Sequence, residues 1–114
     1  LAVFNVMAHN RDDHAKNFSF LMNEFGEWKL SPGYDLTFSN GPGGEQSTMV
    51  MGEGRNITRR HLEKLGLEAK LSKALIDKII QKTSAALGNW KSLAKGYGVN
   101  KENIELIEKR FVIF

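Results

Sequence analysis

Apolar side chains crowd the first nine residues, from Leu1 through Val3, Phe4, Val6 and Met7 to Ala8, which predicts the end of a buried helix, with a strand as the other option on so short a run. A polar cluster follows, Asn10-Arg11-Asp12-Asp13-His14-Ala15-Lys16-Asn17, whose residue types favour a loop. Phe18–Met22 then reads as a short strand, Asn23–Glu27 with Gly26 as a turn, and Trp28–Leu30 as the returning strand of a hairpin. Ser31-Pro32-Gly33 breaks that pattern before Tyr34–Thr37, and the glycine-rich run Gly41–Gly44 reads as a flexible linker. A second hairpin is expected to pair Thr48–Met51 with Arg55–Ile57 around Gly52-Glu53-Gly54. From Thr58 onward the period becomes helical. Thr58 is a good N-cap for a short helix that Gly66 would end. Leu71, Leu75, Ile79, Leu87 and Trp90 trace an apolar stripe to about residue 95, with a bend expected at Gly88, and Asn100 caps a last helix carrying Ile104, Ile107 and Phe111. Such stripes are core.

Composition narrows the function classes. With no Cys among 114 residues, a disulfide scaffold, a Cys-ligated zinc site and a thiol nucleophile are excluded. No apolar stretch approaches the ~18 residues of a membrane span, and no basic region precedes an apolar core as in a signal peptide, so no membrane role and a cytoplasmic location are expected. The chain opens inside an apolar element without an initiator Met, which points to the tail of something longer. Charge divides it. Residues 1–57 hold four Lys/Arg against seven Asp/Glu, net −3, whereas residues 58–114 hold twelve against six, net +6. The expected organisation is a catalytic-loop and hairpin segment over 1–57 and a helical subdomain over 58–114, folded as one compact unit.

Chemistry concentrates in residues 9–37. Asp12 and Asn17 stand five apart, the D-x-x-x-x-N spacing of a kinase catalytic loop, and Asp35 follows the first hairpin. In such a loop the Asp takes the proton of an attacking hydroxyl, the Asn offers an amide oxygen to Mg²⁺, and a later Asp bridges metal and phosphates. Mg²⁺ suits this arrangement because it takes one or two carboxylates plus phosphate oxygens.

The runs Asp12-Asp13-His14-Ala15-Lys16-Asn17-Phe18-Ser19 and Leu30-Ser31-Pro32-Gly33-Tyr34-Asp35-Leu36 closely resemble the C-terminal lobe of HipA-like serine/threonine kinases, toxin components of bacterial toxin–antitoxin pairs. Gly52–Thr58 and Gly88-Asn89-Trp90 also resemble segments of that family. The resemblance implies an α+β, mostly helical fold, the C-lobe of a protein-kinase-like enzyme of the HipA type, with short hairpins around the catalytic loop and a helical C-terminal subdomain. By position it makes Asp12 the catalytic base, Lys16 a catalytic residue facing the transferring phosphoryl group, and Asn17 and Asp35 the metal ligands. It implies ATP and Mg²⁺ as cofactors, a protein substrate phosphorylated on Ser or Thr, a helix-turn-helix antitoxin partner, and DNA contacted only through that antitoxin. Two departures stand out. Asp13 occupies a position where the family commonly has a small residue, and Arg11 precedes Asp12 while position 10 is Asn, where eukaryotic kinases have His.

Other assignments compete. His9, Asp12, Asp13 and His14 could form a transition-metal cluster, which would leave Asn17 and Asp35 unexplained. Asp13 is expected to be a solvated loop acid, and His9 and His61 surface or helix-end residues. No glycine-rich strand–turn–strand with a downstream Lys is found, so the chain is expected to be a C-terminal piece that alone neither binds ATP measurably nor transfers phosphate. The alternatives are an interaction module using the basic helical half against an antitoxin or DNA, and phosphotransfer to a small molecule, since sugar and aminoglycoside kinases share the D-x-x-x-x-N loop.

Overall fold

A computed structural model describes all 114 residues, and its elements are α1 (Ala2–Met7), a single 3₁₀ turn at Ala15–Asn17, β1 (Phe20–Met22), β2 (Trp28–Leu30), α2 (Arg59–Glu68), α3 (Lys73–Gly88), α4 (Trp90–Gly96) and α5 (Lys101–Glu108). The result is a small α+β molecule, mostly helical, with one two-stranded antiparallel sheet. No helix is long and apolar enough to cross a membrane.

Short as it is, α1 is the hub of packing. Val6, Met7 and Ala8 join Val50 and the helical residues Leu62, Ile76, Ile80 and Leu87 in the hydrophobic core, so one core draws on both halves of the chain. Phe111 packs against it, and Val112 N–H donates to Met7 O at 2.9 Å, so the C-terminal tail returns to pin the end of α1. Trp90 ties α4 to α5, its indole N–H donating to Ile104 O at 3.1 Å while its ring meets Phe111 edge-on.

The helix starts follow their side chains. Thr58 N–H donates to His61 Nδ1 at 3.0 Å at the head of α2, Ser72 Oγ accepts from Leu75 N–H, and Asn100 Oδ1 accepts from Asn103 N–H at 2.8 Å. The end of α2 departs from expectation. Gly66 lies inside the helix and is buried, and the chain leaves through a Schellman motif in which Leu71 N–H donates to Gly66 O and Lys70 N–H to Leu67 O. Lys70 takes the left-handed position, at φ 58°. Gly66 has a packing role instead, because a Cβ there would stand 2.6 Å from both Cγ1 and Cδ1 of Ile76 on α3. The expected long helix after residue 71 is cut in two at Asn89, just past the anticipated bend.

The first hairpin forms in the expected place, with Phe20 opposite Leu30, Leu21 opposite Lys29 and Met22 opposite Trp28. Opposed residues share a face, so Phe20, Leu30, Met22 and Trp28 make one apolar face, and all four are exposed. Asn23 Oδ1 closes the turn by accepting from Phe25 and Glu27 N–H. The second hairpin is reduced to one bridge, Val50 to Glu53, around Met51 and Gly52. Both of these have positive φ, 54° and 84°, as a two-residue type I′ turn requires, so the turn sits one residue earlier than expected and Arg55–Ile57 stays unpaired. Gly41–Gly44 is no free linker. Arg11 donates to Gly44 O and Arg55 to Gly43 O, and Gly41 runs so close to Glu45 O that a Cβ would lie 2.6 Å from it.

Gly66→Val is expected to destabilise the fold by about 1–3 kcal/mol, because Ile76 is β-branched on a helix and cannot swing clear of a new side chain. Urea unfolding checks this. A midpoint unchanged from the parent would show that α2 and α3 part freely at this point.

Candidate active site

The loop from His9 to Asn17 is built from two sides. At the end of α1 the chain turns through His9, at φ 58°, and Asn10 N–H reaches back to Asn5 O at 2.8 Å while its buried amide donates to Asn5 Oδ1. Ser39 N–H donates to His9 O and Arg11 N–H to Ser39 O, both at 3.0 Å, forming a parallel bridge that holds the loop entrance. His9 is buried, stacked on Phe38, with Nε2 3.2 Å from Asn40 Oδ1. Burial, and then the nearby Arg11 charge, hold its pKa below the ordinary histidine value. The expectation of a surface or helix-end residue therefore fails for His9, whereas His61 does sit at a helix start.

The second side is a clamp on Asp13. Its side chain is buried, with Oδ1 accepting from Thr48 N–H at 2.9 Å and Oδ2 from Gln46 Nε2 at 3.0 Å, while the Thr48 hydroxyl donates to Asp13 O. Gln46, equally buried, also donates to Asn10 O, and Ser47 donates to Arg11 O from both N–H and hydroxyl. The solvated loop acid expected at position 13 is thus a structural anchor. Asp13 is turned inward, while the side chain of its neighbour Asp12 stays about half exposed.

Asp12 is half-exposed, with Oδ1 3.9 Å from Nε2 of a half-exposed His14, whose Nδ1 is buried without a partner. Asn17 Nδ2 donates to Asp12 O at 2.8 Å and closes the loop, which leaves the Asn17 amide oxygen as a free acceptor. Lys16 and Asp35 are both exposed, and Tyr34 Oη donates to Lys16 O at 2.6 Å. That bond docks the residue before Asp35 on the residue before Asn17. Asp35 is held at φ 51°, a left-handed conformation that Asp tolerates better than most residues.

Asn17 and Asp35 offer hard oxygen donors, too few for an all-protein cage and appropriate to Mg²⁺ completed by water and phosphate oxygens. No group of three His, Cys, Asp or Glu is arranged to hold a metal ion. The competing cluster of His9, Asp12, Asp13 and His14 is taken apart by the geometry, since His9 faces Asn40 and Phe38 while Asp13 faces Gln46 and Thr48. Sequence reasoning missed Gln46, Thr48 and Tyr34. Only the pair of adjacent acids hinted that one of them had to turn inward.

Asp13→Ala strands the Thr48 N–H and the Gln46 amide, and is expected to cost about 3 kcal/mol in urea unfolding. A loss below about 1 kcal/mol would remove the clamp from the account. His9 makes stability pH-dependent. Because its folded pKa is lowered, the unfolded chain takes up the proton first as pH falls, so stability is full above the unfolded value near 6.5 and declines as pH drops through the folded one. His9→Asn, which keeps a residue tolerant of positive φ, is expected to flatten melting temperature against pH between about 7.5 and 5. An unchanged slope would assign the effect to other groups.

Over residues 1–90 the sequence matches the family model described as HipA-like C-terminal domain. No curated protein and no solved structure matches it. The matched stretch takes in α1, the whole Asp12–Asn17 loop, the hairpin, Asp35, the Gln46–Thr48 clamp, α2 and α3. With that share of its length matched, the chain belongs to the HipA-like C-terminal domain family.

Proposed function

We propose that this chain is the catalytic-loop portion of a HipA-like kinase, in a kinase-type C-lobe, which transfers the γ-phosphoryl group of ATP to a Ser or Thr hydroxyl of a protein. The observation that carries this reading is a half-exposed Asp12 beside the clamped Asp13, in a loop that Asn17 closes and Tyr34 joins to Asp35. Asp12 would orient the attacking hydroxyl and accept its proton. Asn17 and Asp35 would hold Mg²⁺, which when bound neutralises charge on the phosphates. Lys16, exposed and free of an ion pair, would lend its positive charge to the phosphoryl group in transfer. The apolar face of β1 and β2, exposed in this chain, fits a site completed by a further part of a longer protein. A helix-turn-helix antitoxin partner and a cytoplasmic location belong to the same proposal.

One observation favours a second reading, an interaction module. Lys91, Lys95 and Lys101 border a groove of about 430 Å³ between α4 and α5, beyond the matched residues, with a single acid, Glu105, on its rim. An acidic antitoxin surface or DNA would complement it.

Transfer of labelled phosphate to protein substrates decides between the two. In a full-length protein carrying this segment, Asp12→Asn is expected to lower the rate by about 10²–10⁴-fold, and the 114-residue chain alone to be inactive. Near-normal transfer by the Asp12→Asn protein would sink the kinase reading. Salt-dependent retention of the chain on DNA, lost in Lys91→Gln/Lys95→Gln, would then favour the module.

A further inference from the structure

Arg11 and Arg55 line a cleft of about 230 Å³ with Gln46, Asn56, Val6 and Ile57. Arg110 stands two residues before Val112, another wall of the cleft, and its charge reaches Arg11. The molecule's ion pairs join His14 to Asp12, Arg59 to Glu63 and Asp77, and Lys101 to Glu105, so none of these three arginines is paired. Two of them are nevertheless set in place. Arg11 donates to Gly44 O and, at 3.0 Å, to Arg55 O, and Arg55 donates to Gly43 O at 3.3 Å. A guanidinium has five N–H donors, so most of theirs remain unspent. Arg110 is exposed and makes no side-chain hydrogen bond.

The local charge is unbalanced. Burial, then the charges of Arg110 and Arg55, hold the Arg11 pKa below its usual value, and Glu45 is the one acid that opposes them. Glu53 also stands beside the cleft with its charge intact, its Oε1 accepting from the backbone N–H of Arg55 and Asn56. Three cations against Glu45 and Glu53 leave one positive charge in excess, and the lining itself holds two arginines and no acid.

We propose that the cleft lined by Arg11 and Arg55, with Arg110 nearby, binds a phosphate dianion, either free or as the phosphomonoester of a phosphorylated side chain. Charge, shape and room support it together. A phosphate group carries about −1.5 to −2 at neutral pH, which the two lining guanidiniums can meet. Its tetrahedral oxygens can meet guanidinium forks from several directions, whereas a planar carboxylate is filled by one fork. This site is separate from the oxygen donors of Asn17 and Asp35, and it stands or falls independently of the kinase reading.

The test titrates inorganic phosphate into the 114-residue chain in EDTA, which removes any phosphate carried by a metal ion, against chloride at matched ionic strength. Calorimetry and thermal unfolding follow binding. Phosphate is expected to raise the melting temperature above that in chloride. Arg55→Gln and Arg110→Gln are each expected to weaken phosphate about tenfold or more, with unchanged circular dichroism, while Lys78→Gln, at an exposed position on α3, has no effect. Arg110→Gln removes no hydrogen bond of the folded chain, so it remains informative if Arg55→Gln unfolds. A phosphoserine peptide binding more tightly than phosphate would identify a phosphorylated side chain as the source, and one binding no more tightly would identify the free ion. Equal stabilisation by phosphate and chloride, or full affinity in Arg110→Gln, overturns the proposal.

Discussion

A buried carboxylate is tolerable only when its oxygens are met by donors, and the whole candidate site depends on how Asp13 meets this demand. Its donors come from Gln46 and Thr48, more than thirty residues away in sequence. Gln46 uses one amide to hold both Asp13 Oδ2 and Asn10 O, so the clamp fixes the loop on either side of Arg11 and Asp12. Between fixed flanks, the Asp12 side chain is left about half exposed beside His14. The intervening segment, with its hairpin and glycine turn, is a closed loop whose length adds little to the entropy of closure, since that cost rises only logarithmically.

Backbone strain gathers at the same place. Four non-glycine residues have positive φ, and two of them, His9 and Asp35, stand at the borders of the site. Such a conformation costs on the order of 1–2 kcal/mol and persists only where neighbours hold it. His9 is held by Ser39, Asn40 and Phe38, and Asp35 follows a tyrosine hydrogen-bonded to the loop. At Lys70 the cause is different. Gly66, the residue best suited to a left-handed helix end, is required one turn earlier for contact with Ile76, so a lysine bears the strain.

Local rules were legible where one residue decides the outcome. Asn100 and Thr58 start helices because a side chain meets the first free N–H groups or receives one, and the Asn23 turn closes a hairpin within a few residues. The Asp12–Asn17 pair stands out by its spacing for the same reason, whereas Lys16 is singled out only by the resemblance. What stayed hidden was nonlocal. Nothing near Asp13 in sequence shows that Thr48 will meet it, nothing near Gly66 shows the approach of Ile76, and nothing in Gly41–Gly44 announces Arg11 and Arg55 as its ties. Composition is also ambiguous between a flexible glycine run and a tight one, since both exploit the missing Cβ.

The two halves of the chain are held by different forces, and this bears on how the site responds to change. Residues 58–114 cohere through aliphatic contacts among α2, α3 and the helices beyond, whereas residues 9–57 contribute little more than Val50 to the core. Four large apolar residues of that stretch, Phe20, Met22, Trp28 and Leu30, lie exposed on the hairpin. Its order rests on hydrogen bonds: Ser39 to the loop entrance, Gln46 and Thr48 to Asp13, Arg11 to the glycine turn, Asn17 to Asp12. Polar bonds of this kind are directional, and apolar contacts are not. Loss of volume in the helical core lowers stability and leaves the aim of Asp12 intact, because the core fixes only where α1 ends. Loss of a single donor in the loop has the opposite profile, a modest energetic cost and a misdirected carboxylate. Position in this site is therefore set by the polar network, and the hydrophobic core supplies the platform on which that network is built.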